Sequence, residues 1–112
     1  MLNIYFTFLN LTRALEKVPG YPRLEAGEAR LLEILAVAWH DGAALTISEA
    51  MLEEAVGAPA TIYRKLRKLQ DAGLVDMVEL DTDRRVKFAL PSAGALRYFE
   101  RIAHCMAKAR EG

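Results

Sequence analysis

The chain has 112 residues, enough for one domain around one hydrophobic core. Apolar residues make up 53% and charged residues 27%, which is the composition of a folded globular protein and excludes a disordered tail. Lys plus Arg and Asp plus Glu both total 15, so any nucleic-acid face has to arise from uneven distribution of charge, not from a basic excess. Cys105 is the lone cysteine, which excludes an internal disulfide framework and fits a reducing cytoplasm. The apolar segment from Met1 to Leu11 has no basic start and holds Asn3, Thr7 and Asn10. It reaches Arg13 well before the roughly 20 apolar residues of a spanning helix, so a cytoplasmic protein without a membrane segment is expected.

Taken in order, residues 2 to 18 read as a helix, with Ile4, Phe8, Leu11, Leu15 and Val18 on one stripe and Leu2, Phe6 and Leu9 beside it. That apolar face is wide for a surface helix. Pro19-Gly20-Tyr21-Pro22 breaks the chain, and a second helix follows over 24 to 40. Glu25 and Glu28 open it, where the positive helix end favours carboxylates. Its centre, Leu31 to Trp39, is apolar apart from Glu33 and is expected to run through the core. Asp41-Gly42 ends it. A short helix comes next, with Thr46 and Glu49 at capping-box spacing and Ser48 as a competing cap; it is expected to end near Val56-Gly57.

A third long helix begins at about Pro59, a residue suited to a first helical turn, and stops at Ala72 and Gly73. Ile62, Leu66 and Leu69 are its core stripe. Leu74–Leu80 and Val86–Leu90 read as two strands, the second with Val86, Phe88 and Leu90 inward and Lys87 and Ala89 outward. The five residues Asp81 to Arg85 connect them as a hairpin loop. A last helix starts around Ser92 and carries Leu96, Phe99, Ile102, Ala103 and Met106 on one side. The fold class is therefore mainly α with a small β-hairpin (α+β), in the order of a winged helix-turn-helix with an extra helix at each end. It is read as one domain over 1–112.

The run Ala60-Thr61-Ile62-Tyr63-Arg64-Lys65-Leu66-Arg67-Lys68-Leu69 leads through Gln70-Asp71-Ala72 into Gly73-Leu74-Val75. Asp83-Arg84-Arg85 follows in the hairpin, and Leu90-Pro91-Ser92-Ala93-Gly94 opens the last helix. From Leu45 to Gly94 this ordered set resembles the multiple-antibiotic-resistance regulator (MarR) family of winged-helix transcription factors. In that family the recognition helix ends on a Gly-Leu-Val, the wing carries an Asp-x-Arg, and a Leu-Thr-x-x-Gly opens the dimerising helix. The resemblance implies a dimeric, sequence-specific, duplex-DNA-binding regulator. The chain departs from the pattern in three places. Gly57 lies five residues before Ile62, one closer than usual. The first wing strand carries Asp76 and Glu79 where members tend to be basic. The chain is also short, leaving less material around the cleft where members often bind a small effector, so effector binding is not part of the expectation.

DNA offers phosphates and a major groove wide enough for one helix. With Ile62, Leu66 and Leu69 buried, the helix from 59 to 72 presents Arg64, Lys65, Arg67 and Lys68 against only Asp71. Its N-terminal part meets base edges, which assigns Ala58, Ala60, Thr61, Tyr63 and Arg64 to the groove and Arg67 and Lys68 to phosphates. Arg84 at the wing is placed to enter a minor groove, Arg85 is expected to be held by Asp83, and Lys87 completes the DNA-binding set. Glu49, Glu53 and Glu54 lie on the preceding segment, so the basic charge is concentrated on the helix that would meet DNA.

His40 and His104 lack partners at metal spacing, and Cys105 reads as a buried, unreactive thiol. No metal site, cofactor site or catalytic constellation is recognised, which points away from an enzyme. The competing functions are a winged-helix protein-interaction or assembly module, and a plasmid or phage replication or partition accessory. Segments 2–18 and 92–110 are expected to be dimerisation helices flanking the helix-turn-helix and wing of 45–90. Ile4, Phe8, Leu11, Leu15, Leu96, Phe99, Ile102 and Met106 form the interface, because a stripe of this size is seldom left exposed on a soluble monomer.

Overall fold

The computed structural model describes all 112 residues, in the order α1 (Leu2–Glu16), α2 (Ala26–His40), α3 (Ile47–Ala50), α4 (Pro59–Asp71), β1 (Val75–Leu80), β2 (Asp83–Pro91) and α5 (Ala93–Glu111). Contacts divide the chain into two compact units, Leu24–Ala95 and the pair of end segments Met1–Arg23 with Leu96–Gly112. The class is α+β, five helices with one antiparallel two-stranded hairpin, as the order of sequence signals implies. No helix is long and apolar enough to cross a membrane.

In the unit Leu24–Ala95, α2 packs on α4 and on β2, and α4 packs on β1. Leu31, Leu32 and Leu35 of α2 and Ile62, Leu66 and Leu69 of α4 have no exposed surface. The expectation that the whole centre of α2 is core holds only for its first half. Val37 and Trp39, beyond the buried Leu35, are 60% and 40% exposed. Helix α2 opens with the Glu25 N–H donating to Glu28 Oε1 at 3.0 Å.

Thr46 is the cap of α3. Its hydroxyl accepts from the Glu49 N–H at 3.1 Å, and its own N–H donates to Glu49 Oε1 at 3.0 Å, which leaves Ser48 no part in the cap. The Thr46 N–H, and after it the Thr46 hydroxyl, hold the Glu49 carboxyl below the usual carboxylate range. The helix does not reach Val56 as expected. It stops at Ala50 and gives way to turns closed by three-residue bonds from Leu52 N–H to Glu49 O, Glu53 N–H to Ala50 O and Val56 N–H to Glu53 O. Continuing it would stack Glu49 on Glu53 and put Glu53 and Glu54 at the negative helix end, both unfavourable. The link to α4 therefore runs over residues 51–58.

The wing differs from the expected five-residue loop. Strand β2 starts at Asp83, leaving Asp81 and Thr82 as the turn. Pairing is regular from Val75↔Pro91 to Glu79↔Lys87, then jumps to Leu80↔Asp83, so Arg84, Arg85 and Val86 form an irregular bulge. The strand alternation also fails at Ala89, expected outside and in fact fully buried. Leu45 and Thr46, which no strand pattern marked, run beside β2: the Ala89 N–H donates to Leu45 O at 3.0 Å and Thr46 bridges Phe88.

One node joins the end of α4 to the end of the wing. Gly73 has φ +75° and completes the helix stop, with the Leu74 N–H bonded to Leu69 O at 2.9 Å and the Gly73 N–H to Gln70 O at 3.0 Å. The Gly73 carbonyl then accepts the Ser92 hydroxyl at 2.6 Å, while Ser92 Oγ caps α5 by accepting the Ala95 N–H at 3.1 Å. Gly94 lies so close that a Cβ there would meet Gly73 O at 2.6 Å.

In the other unit, α1 ends at Glu16, two residues short of the expected boundary, and buries no residue at all. On the part of α5 in this unit, Cys105 and Ala109 are buried, whereas Leu96 and Met106 are 41% and 57% exposed. The Tyr21 and Tyr98 rings lie 5.4 Å apart. Burial first, then Tyr98, pushes the Tyr21 phenol up to about 12.

The contrast between Gly94 and Gly27 is testable. At Gly27 a Cβ would meet only the flexible end of Lys65, Nζ at 2.9 Å. Gly94→Ala should therefore destabilise by about 1–3 kcal/mol, the usual cost of overpacking, and Gly27→Ala by much less. Urea midpoints measure both, and equal midpoints would refute the close approach at Gly94.

Candidate nucleic-acid interface

Helix α4 is strongly two-sided because its apolar residues recur at four and three. Once Ile62, Leu66 and Leu69 are buried, Ala60, Arg64 and Arg67 must face away from α2 and the wing, and all three are exposed. Ala58 is the cap residue but has no side chain able to accept a bond, and Pro59 takes the first turn. The leading N–H groups of α4 are thus left without a side-chain acceptor. Tyr63 is 40% exposed at the flank. Thr61 is half-buried, and its hydroxyl accepts from Arg64 Nη2 at 3.2 Å.

Two lysines depart from a freely projecting basic face. Lys65 is half-buried, its ammonium over Gly27 at the start of α2. Lys68 Nζ lies 3.9 Å from Glu28 Oε2, with the lysine side chain 65% exposed and the glutamate side chain only 8%. Glu28 was legible as a helix-opening carboxylate but not as a buried one. Its spacing of three from Glu25 marks a side chain folded back on the helix start, whereas its burial depends on α4.

On the wing, Asp83 holds Arg85 as expected: Oδ1 accepts from the Arg85 N–H at 3.0 Å and Nε at 3.1 Å, and Oδ2 accepts from Nη2 at 3.3 Å. The Arg85 side chain and then its N–H hold the Asp83 carboxyl below the usual range. Arg84 is exposed in the bulge beside it. Lys87 is exposed and stands directly across the strand pair from Glu79. The expected interface residues of the end helices fall in the other unit. Ile4, Leu96 and Met106 are exposed, while Phe8, Leu11, Leu15, Phe99 and Ile102 are half-buried. Cys105 is buried, and no group of three or more His, Cys, Asp or Glu side chains is arranged to hold a metal ion.

No protein-family model and no curated protein sequence matches the chain. Solved structures do. The chain is similar to MepR of S. aureus in a complex with ethidium bromide, with a TM-score of 0.70 at 16% identity over 96% of this chain and 71% of that one. It is similar to a transcriptional regulator of Thermotoga maritima, with a TM-score of 0.63 at 14% identity over 96% of this chain and 68% of that one. MarR itself matches with a TM-score of 0.57 at 16% identity over 79% of this chain, which spans 61% of the MarR chain. These likenesses establish a MarR-like winged-helix fold.

The wing clamp predicts a titration. Because the native Asp83 carboxyl is depressed by Arg85, the stability it contributes is present above its unfolded value and is lost as pH falls through the lower native one. The Asp83 carboxyl carbon, followed by NMR, should titrate below an ordinary aspartate and return to the ordinary range in Arg85→Ala. An unchanged midpoint in that variant would refute the clamp.

Proposed function

We propose that the protein is a sequence-specific, double-stranded-DNA-binding transcriptional regulator that acts as a homodimer in the cytoplasm, without catalysis or cofactor. The observation that carries this reading is the outward face of α4. Arg64 and Arg67 project there from a helix whose opposite stripe is fully buried, and its N-terminus carries no side-chain cap. In a helix-turn-helix this geometry sends the start of the second helix into the major groove. Ala58, Ala60, Thr61, Tyr63 and Arg64 take the base edges, and Arg67 and Lys68 take phosphates. Arg84, Arg85 and Lys87 of the wing meet the minor groove or the backbone. A variant of the similar MepR is bound to an oligodeoxyribonucleotide, which supports a DNA-binding role.

The dimer has its own physical support. Helix α1 runs for 15 residues without burying one of them, and Leu2, Tyr5 and Phe6 are 67%, 55% and 53% exposed. Burying side chains of this size contributes roughly 1.5–3 kcal/mol each. A two-fold partner that covers this helix, with Ile4, Phe8, Leu11, Leu15, Leu96, Phe99, Ile102 and Met106 in the interface, recovers part of that energy and presents two α4 helices to DNA.

Duplex binding measured across a salt series tests the first part. Arg67→Ala should weaken binding to every sequence and flatten the log–log salt slope by about one unit, as loss of a phosphate contact does. Arg64→Ala should relax preference at one base pair at a cost of about 1–3 kcal/mol. If both variants match the parent, α4 is not the recognition helix. Light scattering tests the second part: the parent should show twice the 12.5 kDa chain mass, and Phe8→Glu with Leu11→Glu should show monomers or unfolded chains. A monomeric parent, or a stable dimer in the double variant, would overturn the interface.

A further inference from the structure

Glu28 is a buried carboxylate on the first turn of α2, remote in sequence from the helix proposed to meet DNA, yet its free oxygen faces that helix. Oε1 accepts the Glu25 N–H at 3.0 Å, and Oε2 lies 3.9 Å from Lys68 Nζ. Burial makes this pair unlike an exposed ion pair, whose contribution is close to nothing. A carboxylate whose side chain is 8% exposed has lost most of its water and depends on the helix start and on Lys68 to offset its charge. Lys68 itself is 65% exposed, so phosphate can reach it.

We infer that Glu28 competes with DNA phosphate for Lys68, and that it thereby limits how tightly the α4 face holds a duplex. This rests on the DNA-binding reading above. A phosphate arriving at Lys68 has two courses. The ammonium swings out and leaves the buried carboxylate uncompensated, or it stays and brings a phosphate charge close to a carboxylate charge. Both courses weaken the contact. Arg67, one residue earlier and exposed, has no carboxylate within ion-pair distance and bears no such penalty. Lys65, drawn over Gly27, stands on the same side of α4 as Lys68, so the start of α2 draws on both lysines, whereas Arg64 and Arg67 face no such competition.

The test is a double-mutant cycle on random-sequence duplex DNA, since phosphate contacts are independent of sequence. Glu28→Gln keeps an oxygen to accept the Glu25 N–H and removes the charge. It should bind several-fold tighter than the parent, with a log–log salt slope steeper by about one unit per protomer. In the Lys68→Ala background the same substitution should change neither quantity. Unchanged or weaker binding by Glu28→Gln overturns the inference, as does a gain that survives in Lys68→Ala, which would mean that Glu28 acts through the fold. Should Glu28→Gln fail to fold, Lys68→Ala and Arg67→Ala are compared in the parent. A smaller loss at Lys68 supports the competition and equal losses overturn it. A parent that binds no duplex at low salt refutes the DNA reading itself, whereas a parent that binds with no effect of Glu28 refutes only the competition.

Discussion

Ile62, Leu66 and Leu69 occupy one stripe of α4 at spacings of four and three, and none of them has exposed surface. That burial, roughly 1.5–3 kcal/mol per side chain, fixes the rotation of the helix about its own axis. A rotation of one residue, about 100°, would bring a charged side chain into the apolar contact with α2, at a cost far above anything the surface could return. The outward direction of Arg64 and Arg67 is therefore a consequence of the core. So is the inward lean of Lys65 and Lys68 toward α2, because these residues flank the buried stripe on one side. The charge pattern that gives α4 its proposed role is set by three apolar residues.

In this chain of zero net charge, some basic residues face carboxylates and others do not. Glu28 faces Lys68, Asp83 clamps Arg85, and Glu79 stands across the strand pair from Lys87. Arg64, Arg67 and Arg84 have no ion-pair partner within 4.0 Å. The distinction separates basic residues that already face a carboxylate from those that do not. The Asp83 clamp also explains why the wing has a two-residue turn: with Arg85 tied back to Asp83 by both backbone and guanidinium, the segment 83–85 cannot loop out and continues the strand as a bulge.

What the sequence revealed follows from what kind of physics wrote each feature. Helical periodicity is a local signal repeated over many residues, so α1, α2, α4 and α5 lie within two residues of their expected ends at every boundary checked by a cap or a breaker. The capping box at Thr46 was legible for the same reason, although choosing it over Ser48 took the observed bonds. The end of α3 was not, because like charges at Glu49 and Glu53 act against a helix that hydrophobicity alone would continue. Pairing of Leu45 with Ala89 joins segments 44 residues apart and leaves no periodic trace. Burial of Glu28 is likewise decided by α4 packing over it. A glutamate at a helix start reads as solvated until the second helix is placed.

Helix α1 is the one long helix with no buried residue. Its sequence has the apolar width of a helix sunk in a core, yet no residue of it is buried. Hydrophobicity of this kind is costly to keep in water and promotes association, so its persistence on a folded chain calls for a surface that covers it. In the proposed dimer a second copy supplies such a surface at no cost in new sequence, because a two-fold interface uses each residue twice. The proposed dimer then couples stability to function: chains that separate expose α1 and also lose the paired presentation of α4. Dilution would weaken both together, since a partner that binds only the folded form stabilises it by mass action.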